Sequence, residues 1–111
     1  CKKLHTVKFT NNKPFVIKKE AFSDCTALGS ITLPSKTELL EEKAFYNCKK
    51  MESAILKGNN LVIGNECFAD CSSLATVNMN NNVSEIGENA FKGCTNLREL
   101  SGRSNAKTIS S

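Results

Sequence analysis

Cys67 and Cys71 stand four residues apart around Phe68 in the stretch NECFADCSSL (65–74), and their chemistry has to be decided first. Thiols so spaced can clip a metal, exchange as a redox pair, attack a substrate with help from a base, or fill space in a core. Each role demands different company. Structural zinc asks for four nitrogen or sulfur ligands. A redox or nucleophilic thiol asks for exposure and a lowered pKa, and covalent catalysis adds a positioned base. The 111-residue chain offers six cysteines and one histidine, His5, so that company is sparse.

Four of the cysteines recur at a fixed step. Cys25, Cys48, Cys71 and Cys94 are 23 residues apart, and Phe22, Phe45, Phe68 and Phe91 keep the same interval. Two residue types holding one period mark a stack of repeats. The units read AFSDCTALGSITLPSKTELLEEK, AFYNCKKMESAILKGNNLVIGNE, CFADCSSLATVNMNNNVSEIGEN and AFKGCTNLRELSGRSNAKTIS. The chain opens inside a further copy, CKKLHTVKFTNNKPFVIKKE, whose one extra residue puts Cys1 out of step. Counted from the cysteine, apolar residues fall three, six and eight positions later: Leu28, Ile31, Leu33; Met51, Ala54, Leu56; Leu74, Val77, Met79. Leu4, Val7 and Phe9 fill these places in the first copy; the last has Leu97 and Leu100 but Gly102 at the third. Another apolar column runs through Ile17, Leu40, Ile63, Ile86 and Ile109, preceded by Val16, Leu39 and Val62.

Two periods inside each unit predict its local structure. The segment ending in I-x-L alternates apolar and polar residues and reads as a short strand. The E-x-A-F-x-x-C segment spaces its apolar residues so that Ala44, Phe45 and Cys48 share one face of a helical turn. Glu20, Glu42, Glu66 and Glu88 stand near the start of that turn, where negative charge suits a helix dipole. A unit of 23 residues cannot cover its own apolar face. Units therefore stack, strand beside strand about 4.8 Å apart, around one continuous core. The predicted architecture is an α/β repeat solenoid of about 4.5 coils, with a parallel sheet on one face and helical turns and return segments on the other. Residues 1–111 form a single domain, expected to be a piece of a longer array because both ends fall inside a coil.

In such a stack the cysteines form an inward column. Neighbouring thiols point the same way, whereas a disulfide turns its Cβ atoms toward each other, so all six cysteines are expected to be free and to act as small apolar fillers. Cys67 occupies the position held elsewhere by Ala21, Ala44 and Ala90. No metal, cofactor or catalytic residue is expected, and His5 lies about three coils from Cys67. Gly87 and Gly93 read as turn residues.

Between the buried strand positions lie the residues of an exposed face: Thr6, Lys8, Ser30, Thr32, Ser53, Ile55, Lys57, Thr76, Asn78 and Asn80, with Thr10, Pro34, Glu99, Ser101 and Arg103 at its margins. These are the candidate binding residues, since solenoids hold partners across such surfaces. Open strand edges also invite self-association of copies edge to edge. Lys+Arg number 15 against 11 Asp+Glu, but the basic residues come as scattered pairs without the stripe and stacking aromatics of a nucleic-acid binder. No run approaches the roughly 18 to 20 apolar residues that cross a bilayer, and CKKLHTVKF lacks the pattern of a signal peptide. Asn82-Val83-Ser84 matches a glycosylation sequon by spacing alone. Cys1 as a lipid-modified terminus is unnecessary, because the repeat already explains it.

The C-x-x-L-x-x-I-x-L strand followed by I-G-x-x-A-F-x-x-C resembles the leucine-rich repeats of the BspA-like, or Treponema pallidum, type. Residues 71–97, CSSLATVNMNNNVSEIGENAFKGCTNL, carry the resemblance most fully; Ala54-Ile55, Cys67 and the weak last coil depart from it. BspA-like proteins are often surface proteins of bacteria and parasitic protists. The resemblance therefore implies a cell-surface or secreted, non-catalytic adhesion or protein-interaction module, with a host or matrix protein or a glycan as partner. A structural or intracellular scaffold segment without a ligand of its own is the alternative.

Overall fold

Alternation of inward apolar and outward polar side chains shapes the first strand family, β2 (Ser30–Leu33), β4 (Ser53–Leu56), β6 (Thr76–Asn78) and β8 (Glu99–Ser101). The computed structural model describes residues 3–9, 13–58, 60–79, 83–102 and 107–108. The four strands pair in parallel as one sheet in the order β2-β4-β6-β8. Their register is the sequence period itself: Ile31 lies beside Ala54, Ala54 beside Val77 and Val77 beside Leu100.

The return segments, to which the sequence pattern assigns no conformation, form a second parallel sheet. It contains β1 (Phe15–Ile17), β3 (Thr37–Leu40), β5 (Leu61–Ile63), β7 (Val83–Ile86) and β9 (Lys107–Thr108), in that order. The column Ile17, Leu40, Ile63 and Ile86 is its buried side, while Val16, Leu39 and Val62 are half-buried. β-Branched and leucine residues in a row suit a strand. Register slips occur between Phe15 and Val16 and between Leu61 and Val62. At this level Thr37, the buried polar residue among those described, donates its hydroxyl hydrogen to the Pro34 carbonyl at 2.9 Å. The first copy departs the other way: Leu4, Val7 and Phe9 pack against the core, but residues 4–9 form no strand.

Among the described residues there is no helix, which corrects the α/β expectation. Two facts explain why the A-F-x-x-C segment stays a turn. Glu20 and Asp24, Lys43 and Asn47, Glu66 and Asp70, and Asn89 and Gly93 all have positive φ, a left-handed residue every fourth position. Right-handed helix cannot propagate through them. Backbone amides are also shared between coils: Glu20, Phe22 and Asp24 donate to the carbonyls of Glu42, Ala44 and Tyr46 at 3.1, 2.7 and 2.8 Å. Intervening amides close short turns three residues back, as in Ala21 to Lys18 and Ser23 to Glu20. An α-helix would instead direct its amides to carbonyls four residues back in the same coil. The helix-dipole role expected for the glutamates has no helix to act on. Glu42 instead meets Lys19 across the coils at 3.8 Å.

Glycine spaces the coils at the entry to these turns. A Cβ on Gly87 would come within 2.6 Å of the Gly64 carbonyl carbon, so the backbones approach too closely for a side chain. Gly93 is needed for its φ of +80° and because a Cβ there would run into the Asp70 carboxylate.

Between the sheets and the turns runs the core. Leu28, Met51 and Leu74 form one buried column, and Leu33, Leu56 and Met79 another. Phe45 and Phe68 are fully buried. Successive phenylalanine rings lie 5.2, 5.1 and 5.4 Å apart, with planes within 8° of parallel. The expected single file of Phe22, Phe45, Phe68 and Phe91 is therefore present, each ring set over the last at near the strand repeat of about 4.8 Å.

Candidate functional site

The sheet β2-β4-β6-β8 turns alternate side chains outward in two columns. Ser30, Ser53, Thr76 and Glu99 are register partners in one, and Thr32, Ile55, Asn78 and Ser101 in the other. Ser30, Thr32, Thr76 and Asn78 are exposed; Ser53 and Ile55 are half-buried. Sequence reasoning placed these six on one face, and the structure brings them together there. Thr6, Lys8 and Lys57 are likewise exposed, while Asn80 lies outside the described residues, as do Thr10, Arg103 and Asn82.

A feature of this surface escaped the sequence. Where the first copy forms no strand, a shallow depression of about 420 Å³ opens beside the end of β2. Val7, Phe9, Leu33 and Pro34 make its apolar lining, Thr32 and Ser35 add hydroxyls, and Lys8 and Lys57 flank it. The sequence pattern assigned Val7, Phe9 and Leu33 to the core; Leu33 is fully buried there, whereas Val7 and Phe9 are only half-buried. What it lacks is any mark that the chain between Leu4 and Phe9 fails to close against β2.

The cysteines face the other way. Cys48, Cys71 and Cys94 donate their thiol hydrogens to the carbonyls of Phe22, Phe45 and Phe68, each 26 residues earlier, at 3.2, 3.2 and 3.1 Å. Cys48, Cys67, Cys71 and Cys94 are free. Cys25 is disulfide-bonded, which corrects the expectation of six free thiols. Cys1 lies outside the described residues. The same-direction rule for stacked side chains applies only between coils in step, and the sequence interval preceding Cys25 is the one with an extra residue.

Burial sets the character of the free thiols. It pushes Cys67 well above the ordinary thiol range and Cys94 up to about 11. Interaction between the neighbouring Cys48 and Cys71 thiols raises Cys71, with burial adding to it, and lowers Cys48. Cys48 has no solvent-accessible surface, so its thiol meets no substrate. Among the described residues no group of three or more His, Cys, Asp and Glu side chains is arranged to hold a metal.

On the turn side, equivalent residues also interact from coil to coil. The Asn47 amide donates to the Asp24 carboxylate at 2.6 Å. Tyr46, with Lys43 lying 5.2 Å from its ring centre, is raised above its ordinary pKa by its hydrogen bond to Asp70. These contacts tie neighbouring coils together.

Comparison with known proteins gives this geometry a family. The family model of the BspA type leucine rich repeat region matches residues 1–111, in six copies. The chain belongs to the BspA-type leucine-rich-repeat family. A comparison with curated proteins finds no match. Among solved structures, this BspA-type chain is similar to a leucine rich cell surface protein from Faecalibacterium prausnitzii A2-165, with 30% identity and a TM-score of 0.68 over 75% of the chain. It also matches the T. pallidum leucine rich repeat protein, with 24% identity and a TM-score of 0.46 over 88% of the chain. The chain spans 22% of the first protein's length and 65% of the second's. BspA-type repeats are typically non-catalytic, and leucine-rich repeats generally bind proteins. Among the described residues no helix is long and apolar enough to cross a membrane.

Proposed function

We propose that this chain is a non-catalytic protein-interaction or adhesion module of a cell-surface or secreted protein, holding a macromolecular partner on the outer face of β2, β4, β6 and β8. The observation that carries this reading is the pair of outward columns, in which polar side chains from successive coils stand in register on a regular sheet. Such a surface is fixed by backbone pairing, so little order has to be created when a partner docks. Its side chains are short hydroxyls and amides, with Ile55 as the apolar centre and Thr32 and Asn78 beside it in register. The printed description of the F. prausnitzii relative as a cell surface protein supports the setting.

Arginine substitutions test the face. The Ser53→Arg/Thr76→Arg double variant should keep the wild-type melting temperature and lose at least about tenfold in affinity for immobilised extracellular-matrix proteins, because bulky like charges are placed where a partner must approach. Lys92→Glu, an exposed change on the turn side, should leave binding intact. Loss of binding with Lys92→Glu alone would move the partner to the opposite face and end this reading.

A further inference from the structure

We propose, resting on the strand face as the binding surface, that the depression beside β2 receives an acidic segment of a partner protein, an apolar side chain flanked by carboxylates. Three observations converge on that occupant. Half-buried Val7, Phe9 and Pro34 give the lining its accessible apolar surface over the buried Leu33, with the Thr32 and Ser35 hydroxyls at hand. Its cations are two lysines from different coils, Lys8 and Lys57, both exposed and neither with an ion-pair partner among the described residues. The carboxylate on the two strand columns, Glu99, is on β8, two strands beyond β4, so it does not neutralise them.

Shape and charge together choose among ligand classes. About 420 Å³ falls in the range of sites that hold small ligands or a few side chains. Coils two apart are separated by roughly 10 Å, and in an extended peptide, where side chains alternate between faces, residues one, three and five share a face over about 13 Å, a span that two long lysine side chains meet from its two ends. A segment of the order acid–x–apolar–x–acid thus sets a carboxylate toward each lysine and a hydrophobic side chain into the lining between them. Lysine gives a point charge without the planar fork of arginine, which suffices for single carboxylates. A sulfated or uronic-acid glycan carries charge at every unit and calls for a row of cations, whereas this depression has two with apolar surface between.

Calorimetric titration of the protein with short synthetic peptides tests the assignment. The probes are a seven-residue peptide with leucine at its fourth position and aspartates at its second and sixth, the same peptide with lysines for the aspartates, and a heparin-derived tetrasaccharide. The aspartate–leucine peptide should bind, weaken as salt rises through the screening range, and lose about tenfold or more in affinity to Lys8→Glu/Lys57→Glu. The lysine peptide should not bind. Failure of the aspartate–leucine peptide to bind, indifference to the lysine reversals, or tighter binding of the tetrasaccharide would each overturn the proposal. Matrix-protein binding that is lost in Ser53→Arg/Thr76→Arg but untouched by Lys8→Glu/Lys57→Glu would overturn it while leaving the strand face as the interaction surface. Indifference to both variants would overturn both.

Discussion

Buried thiols give this protein a pH dependence whose sign can be worked out. Cys94 is pushed by burial from an ordinary value of 9.0 to about 11, and Cys67 is raised further. A group whose folded pKa exceeds its unfolded one contributes its full stabilisation below the unfolded value and loses it as pH rises through the folded value. Stability should accordingly decline from about pH 9 upward as unfolded thiols ionise and folded ones hold their protons. Cys67→Ala isolates the effect, because alanine fills the same site as Ala44 and Ala90 in the flanking coils. Denaturant melts at pH 8 and pH 10.5 should show a smaller difference in this variant than in the wild type; an equal difference would mean that other groups govern the decline. The inward thiol column was legible from the 23-residue step, since burial follows from stacking alone. The Cys25 disulfide was not, because the repeat pattern treats every cysteine of the column alike.

At the scale of the element, the A-F-x-x-C segment shows how one spacing serves two conformations. Ala44, Phe45 and Cys48 share a face in a helical turn, but they share it equally in a chain of tight turns whose amides alternate between their own coil and the next. Spacing could not separate the two; the left-handed residues at Lys43, Asn47, Glu66 and Asp70 do. Aspartate and asparagine at Asp24, Asn47 and Asp70 were a signal for that backbone, since these residues tolerate it best. Glu66 at φ 54° turns this into an experiment. In a helix interior, glycine costs about 1 kcal/mol relative to alanine. At a left-handed position glycine relieves about 1–2 kcal/mol of backbone strain, partly offset by the unfolded-state entropy it adds. Glu66→Gly should therefore match or exceed the wild type in stability by up to about 1 kcal/mol, and Glu66→Val should fall clearly below it. A destabilised glycine variant in thermal unfolding would restore the helical reading. The return strands teach a similar lesson: Val16-Ile17, Leu39-Leu40 and Val62-Ile63 were visible as apolar pairs, but only their pairing with one another makes them a sheet.

For the whole molecule, the column of stacked rings makes stability a matter of nearest neighbours. In a solenoid each coil touches only those above and below, so free energies behave as a sum of coil terms and interface terms. Phe45 and Phe68 are fully buried with a ring on each side, while Phe22 and Phe91 are half-buried at the ends of the file. Phe45→Ala should cost about 3–5 kcal/mol, and Phe91→Ala less, because part of its ring already meets water. The interaction between substitutions carries more information than either cost. Adjacent rings 5.1 Å apart and 3° from parallel should couple, so Phe45→Ala/Phe68→Ala should differ from the sum of its single variants by about 0.5–1.5 kcal/mol. Phe22→Ala/Phe91→Ala, three coils apart, should be additive to within about 0.5 kcal/mol. Denaturant unfolding of these variants measures both quantities. Strong coupling between Phe22 and Phe91 would mean that the coils rearrange as one body. Absence of coupling between Phe45 and Phe68 would mean that the rings share a column without sharing energy, and the registered strand face would then rest on backbone pairing alone.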